Sequence, residues 1–276
     1  MTGQDRCHWL RVRAAAGLLA SLMASLMASL IASLIATLIA TPTAHADEVT
    51  VAVAANFAGP LAALADGFAA ASGHRLKTTA GATGKFYSQI VAGAPFEVLL
   101  AADDKTPQKL LRDGLAVAGS AFTYAIGELV LWSAQPGFVD DQGAVLASGR
   151  FARLAIANPK LAPYGRAAQQ VLAARGLSDA LAPRLVTAES IAQAHQFIAT
   201  GNAELGFVAL SQVAAPGQPV GGSVWRVPAT LYAEIRQDAV LLKAGENRPA
   251  AAALLAYLKT APARAVIRSY GYGLPD

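Results

Sequence analysis

Short apolar runs alternate with helical faces along almost all of the chain beyond residue 46. This alternation limits the fold more than any other feature. Val49–Ala55 is a continuous apolar run, as expected of a parallel strand buried on both faces. Leu61, Leu64 and Phe68 then recur at helical spacing until Ser72 and Gly73. Further strands are predicted over 76–79, 98–101, 128–132, 154–157, 185–187 and 205–208. Helices are predicted around Phe86 and Ile90 and over 106–112, 165–174 and 191–199. Two β-rich runs, 223–227 and 239–242, precede two helices near 249–259 and 261–270. Such alternation predicts an α/β architecture with mostly parallel sheets flanked by helices. Beyond residue 46 there are no internal repeats and no linker rich in Pro and Ser.

The first 46 residues stand apart. Arg6, Arg11 and Arg13 make a basic start, an apolar run follows from Ala14 to Ala40, and Ala44-His45-Ala46 has the form of a cleavage box. This predicts a secretory signal removed after Ala46. The apolar run repeats with period four and is long enough to span a bilayer, which needs about 20 residues. An uncleaved anchor is therefore the rival reading. Cys7 is the chain's 1 cysteine. It precedes the apolar run and would leave with the signal, so the exported chain needs no disulfide at this size.

Charge excludes some functions. The formal net charge is +4, and the leader, with three Arg and Asp5, accounts for half of it. No basic run marks a nucleic-acid surface. Catalytic constellations are thin. Beyond the leader only His74 and His195 remain, and a metal cation needs clustered His, Cys or carboxylates. There is no G-x-S-x-G elbow. Gly84-Lys85 is similar to a phosphate loop, but Thr79 and Phe86 stand where that loop needs Gly and Ser/Thr. Asp103-Asp104 could pair for acid/base work, but they precede a predicted helix with Thr106 and Pro107, and capping explains them.

Four strand-to-helix junctions remain: 52–60, 79–90, 158–168 and 187–197. Asn56, Thr83, Tyr164 and Ser190 sit at or near them. A helix start presents unpaired N–H groups and about half a positive charge, which suits an anion without any Lys or Arg. Taken singly, each junction is also explained as an ordinary cap.

The segments AVAANFAGPLAALADGF, GATGKFYSQIVAGAPFEVLLAADDKTPQKL, NPKLAPYGRAAQQVL, ELGFVALSQV and YLKTAPARAVIRSYGYG together resemble the periplasmic molybdate-binding proteins of ABC importers, over nearly all of 48–276. The resemblance implies a two-lobed, type II periplasmic binding protein, with each lobe a mostly parallel sheet flanked by helices. Lobe one would hold 47–125 and 235–276, and lobe two 126–234. The chain would cross between them near 124–127 and 232–236. By position, the family's anion contacts fall on Asn56, Thr83, Tyr164 and Ile191, the last through its backbone N–H. Ala209 stands where some members carry Tyr, and Tyr164 is expected to supply that phenol. The implied ligand is molybdate or tungstate, with no cofactor and no catalysis. The implied partner is an inner-membrane ABC permease, and a periplasmic monomer is expected. Molybdate is a fully ionised tetrahedral dianion, so its site should hold donors only. Another small oxyanion such as sulfate, or a periplasmic enzyme using the same cleft, are the alternatives.

Overall fold

The computed structural model describes residues 47–275 apart from Ala215, together with Met27 of the leader. The predicted signal, its cleavage after Ala46 and Cys7 lie outside the described residues.

Two five-stranded sheets organise the chain. The first contains β1 (Glu48–Ala54), β2 (Arg75–Gly81), β3 (Val98–Leu100), β4 (Phe122–Gly127) and β10 (Ile235–Leu241), in the order β2-β1-β3-β10-β4. The second contains β5 (Leu129–Ser133), β6 (Leu154–Ala157), β7 (Leu185–Ala188), β8 (Leu205–Ala209) and β9 (Ser223–Arg226), in the order β7-β6-β8-β5-β9. In each sheet one strand runs against the other four. In the first it is β10, antiparallel to β3 and β4. In the second it is β5, antiparallel to β8 and β9. The chain leaves the first sheet at Gly127, enters the second at Leu129, and returns between Arg226 and Ile235.

The helices are α1 (Ala58–Ser72), α2 (Thr83–Val91), α3 (Lys105–Arg112), α4 (Val145–Ser148), α5 (Pro163–Ala174), α6 (Ser178–Leu181), α7 (Ile191–Ala199), α8 (Leu210–Val213), α9 (Pro249–Leu258) and α10 (Ala261–Ser269). In α1 the predicted stripe of Leu61, Leu64 and Phe68 is buried, and each such side chain contributes about 1.5–3 kcal/mol. Gly73 ends α1 in the left-handed region, φ 75°, with its N–H bonded to Ala69 O at 2.8 Å. That geometry favours glycine.

The first sheet is buried on both faces, as continuous apolar strands require. Val49, Val51 and Val53 face one cluster with Phe57, Phe68 and Leu254, while Ala52, Leu99 and Val240 face another with Phe86 and Leu110. The second sheet has its own core around Leu131, Phe207, Val171 and Trp225.

The structure adds elements the pattern did not suggest: β4, the first half of β10, and the one-turn helices α4, α6 and α8. It also shortens the first predicted strand, because Ala55 already belongs to a 3-10 turn.

Candidate functional site

Four strands end at one small cavity. The 3-10 turn Ala55–Phe57 follows β1, and α2 follows β2. Helix α5 follows β6 through a turn held by Asn158, whose carbonyl accepts from Leu161 N at 3.0 Å and Ala162 N at 2.8 Å. Helix α7 follows β7. The cavity is lined by Ala54, Ala55, Asn56, Gly81, Ala82, Thr83, Ala102, Ala162, Pro163, Tyr164 and Ile191. All four predicted site residues are therefore brought together, two from each sheet's connections. Its volume of about 10 Å³ compares with roughly 300–1,000 Å³ for pockets that take drug-sized ligands. A drug-sized ligand does not fit it.

The lining carries no charged side chain. Its polarity comes from hydroxyl, amide and main-chain groups. Thr83, Tyr164 and Ile191 occupy the first turns of α2, α5 and α7. No acceptor lies four residues back for an N–H in a first turn, and none of these three N–H groups bonds to another backbone carbonyl among the described residues. Three helix starts thus converge on the cavity with donors and partial positive charge. The Thr83 hydroxyl accepts from Ala102 N at 3.0 Å, which leaves its proton free to donate. Thr83, Asn56, Tyr164 and Ile191 are all buried.

The Tyr164 phenol is tied to the cluster behind the cavity. Its oxygen accepts from Gln237 Nε2 at 3.0 Å, and a Cβ on Gly127 would sit 2.1 Å from it. The phenol thus reaches past the cavity to the point where the chain passes between sheets. Burial raises its pKa well above the ordinary tyrosine value, with Tyr272 and Tyr124 adding to the effect, so the hydroxyl stays protonated. Ala209 does not line the cavity; it caps α8. Ser190 is a structural cap, its Oγ accepting from Gln193 N at 3.3 Å.

Several groups beside the cavity escaped the sequence reading. Gly84 N donates to Leu161 O at 2.9 Å, joining the α2 start to the α5 turn. Lys85 pairs with Glu189, and Arg166 with Asp103 at 2.7 Å. The first pair is solvated and contributes about 0–1 kcal/mol. Asp103 is largely buried and also accepts from Thr106 N at 3.0 Å, so it serves as cap and ion-pair partner together. Only the capping role was visible from the sequence. Gln237, Tyr124 and Tyr272 form a buried polar cluster behind Asn56. Among the described residues, no group of three or more His, Cys, Asp or Glu gathers where a cation could bind. His74 is half-buried and accepts from Asp47 N, while His195 stacks on Trp132 with ring centroids 5.0 Å apart.

Residues 49–273 match the family model of the bacterial extracellular solute-binding proteins. The chain is 62% identical over 231 residues to the molybdate-binding protein ModA of Azotobacter vinelandii, covering 84% of this chain and 92% of that protein. It is 52% identical over 229 residues to the ModA of Rhodobacter capsulatus, covering 83% and 89%. A solved periplasmic molybdate-binding protein of Azotobacter vinelandii superposes with a TM-score of 0.81 at 46% identity, covering 83% of this chain and 100% of that one. The sulfate-binding protein SubI of Mycobacterium tuberculosis, at 14% identity and a TM-score of 0.68, shares the fold. The chain therefore belongs to the bacterial extracellular solute-binding protein family.

Proposed function

We propose that this chain is the substrate-binding component of a molybdate ABC importer, working in the periplasm and delivering the anion to an inner-membrane permease. It binds rather than transforms its ligand. The observation that carries the reading is the meeting of Asn56, Thr83, Tyr164 and Ile191 at one cavity lined by neutral groups. A fully ionised tetrahedral dianion accepts hydrogen bonds and donates none, and the helix-start N–H groups of Thr83, Tyr164 and Ile191 with the Thr83 hydroxyl match it without a buried cation's desolvation cost. The names of the aligned relatives support the same ligand. Tungstate has the same charge and shape and is taken as a second ligand.

Residues 47–125 with 235–276 form one lobe in this reading, and 126–234 the other. Ligand contacts from both lobes favour the closed form, a hinge motion biased by differential binding. Gly84 N–H to Leu161 O and the Arg166–Asp103 pair then belong to that closed form.

Thermal unfolding with molybdate, tungstate, sulfate and phosphate tests the function. A ligand at about 100 times its Kd stabilises by roughly 2.7 kcal/mol. Molybdate and tungstate are expected to raise Tm. A clear shift with sulfate and none with molybdate would falsify the assignment.

A further inference from the structure

Asn56 is 2% exposed and lines the cavity, yet its Oδ1 has no hydrogen-bond partner among the described residues. Its Nδ2 is engaged on the other side, donating to Gln237 Oε1 at 2.8 Å and to Tyr272 Oη at 2.9 Å. Neither Gln237 nor Tyr272 lines the cavity. The amide therefore keeps its donors in the cluster behind it and leaves a bare acceptor on the cavity side. An oxyanion meeting that acceptor is repelled, and a buried acceptor left unpaired costs free energy in any case.

A half-turn of the amide exchanges its oxygen and nitrogen. Asn56 cannot turn alone, because Oδ1 would then face Gln237 Oε1 at 2.8 Å, acceptor against acceptor. If Gln237 turns with it, both amides keep their side-chain partners, and Tyr272 gives up the proton it now shares between Asn56 O and Ser211 Oγ, each at 2.9 Å. Gln237 Nε2 then donates to Asn56 Oδ1 and to Tyr124 Oη, which is 3.1 Å from the present Oε1 and can itself donate to Ala101 O at 3.0 Å. Tyr164 Oη donates to Gln237 Oε1 across the present 3.0 Å contact. Tyr272 Oη donates to Asn56 Oδ1, while Ser211 Oγ keeps the Asn56 carbonyl at 2.9 Å. Three phenols make the exchange feasible, since each hydroxyl can donate or accept. Burial raises the pKa of all three, so the protons this requires stay in place. In the turned form no acceptor is orphaned, and Asn56 Nδ2 faces the cavity.

We propose that Gln237 is a positioning residue for anion recognition: it turns as a pair with Asn56, and the dianion holds the pair in the form that presents Asn56 Nδ2 as a donor. This rests on the oxyanion reading above and deepens it. Gln237 is wholly buried in β10, outside the cavity, and acts only through Asn56.

Neutron diffraction on deuterium-exchanged crystals grown with molybdate distinguishes nitrogen from oxygen at both amides. The expected result is a deuterated Asn56 nitrogen directed at the anion, with Gln237 Oε1 accepting from Tyr164. Molybdate bound against Asn56 Oδ1 overturns the proposal and leaves the oxyanion reading standing. Crystals in which molybdate does not enter the cavity sink that reading, and this proposal with it. In solution, Gln237→Met keeps length and burial but cannot donate to Asn56. Calorimetric titration should show molybdate affinity at least tenfold weaker, with the far-UV spectrum unchanged. Affinity within twofold of the parent protein would refute the pairing. If the variant does not fold, the neutron experiment on the parent protein decides alone.

Discussion

At the scale of single residues, the cavity works by what each group cannot do as much as by what it can. Thr83 already accepts a main-chain N–H through Oγ1, so its remaining capacity is that of a donor. Thr83→Ser keeps that hydroxyl and should bind molybdate within a few-fold of the parent. Thr83→Val removes it and also strips Ala102 N of its acceptor. A hydrogen bond to a charged group contributes about 1.5–3 kcal/mol, so Thr83→Val should weaken binding by at least that much in isothermal titration. Equal affinity of the Ser and Val proteins would take the hydroxyl out of the site. The Thr83 position was legible because a hydroxyl before Gly84 at a helix start is a local pattern. Gln237 was not, because its role depends on contacts with residues distant in sequence, Asn56 and Tyr164. No local pattern encodes such a meeting. Tyr164 was legible as a position: its place at the start of α5 follows from the sequence, but the direction of its ring follows from the space left by Gly127.

At the scale of elements, the site depends on helix starts being held against strand ends. Gly165, in the first turn of α5, has no room for a side chain: a Cβ there would lie 2.1 Å from Ala157 O at the end of β6. Gly165→Ala must push α5 away from the sheet and carry the Tyr164 N–H with it. Overpacking of this kind costs about 1–3 kcal/mol. The expected outcome is a lowered Tm and a larger loss of molybdate affinity than Ser190→Ala, which removes only a cap worth about 1 kcal/mol. Helix α7 adds a pH dependence. Burial lowers the pKa of His195, which stacks on Trp132 of β5. The folded state therefore favours the neutral ring, and the unfolded chain takes up the proton first. Stability from this group is complete above the unfolded value of about 6.5 and declines as the pH falls from there through the folded value. His195→Phe should flatten that acid limb in urea titrations between pH 5 and 8; an unchanged limb would assign it to other groups. The strands and long helices were legible because apolar spacing repeats over several turns or residues. The one-turn helices α4, α6 and α8 are too short to show any period. In β10, Arg236, Gln237 and Asp238 interrupt the apolar run, so only its second half read as a strand.

At the scale of the whole molecule, a neutral cavity leaves open how a dianion is drawn to it. Beside the cavity lies an open cleft of about 530 Å³, whose lining includes Lys105, Lys109, Lys160 and Arg166 together with Gly84 and Leu161. Gly84 and Leu161 adjoin the cavity residues Thr83 and Ala162 in sequence, so this basic cleft opens next to the small cavity. Arg166 is partly neutralised by Asp103. The three lysines are solvent-exposed, with Lys109 held 4.0 Å over the Tyr87 ring. With Asp103 the one acid in that lining, the excess charge is positive and acts on encounter: a cleft of one sign raises on-rates by about 10–10³, and salt screens the effect within about 8–10 Å. On the proposed reading these charges add little to the bound state, because there the anion meets neutral donors. Replacing Lys105, Lys109 and Lys160 together by Gln should therefore slow molybdate association several-fold at low ionic strength. It should also flatten the dependence of that rate on salt and leave dissociation nearly unchanged. Stopped-flow association and displacement at several salt concentrations separate the two rates. If dissociation accelerates while association holds, the lysines touch the bound anion and the division between charged approach and neutral cavity is wrong. If both rates are untouched, the anion enters by another face, and the cleft lined by Lys85, Gln89 and Glu189 on the other side of α2 becomes the route to test.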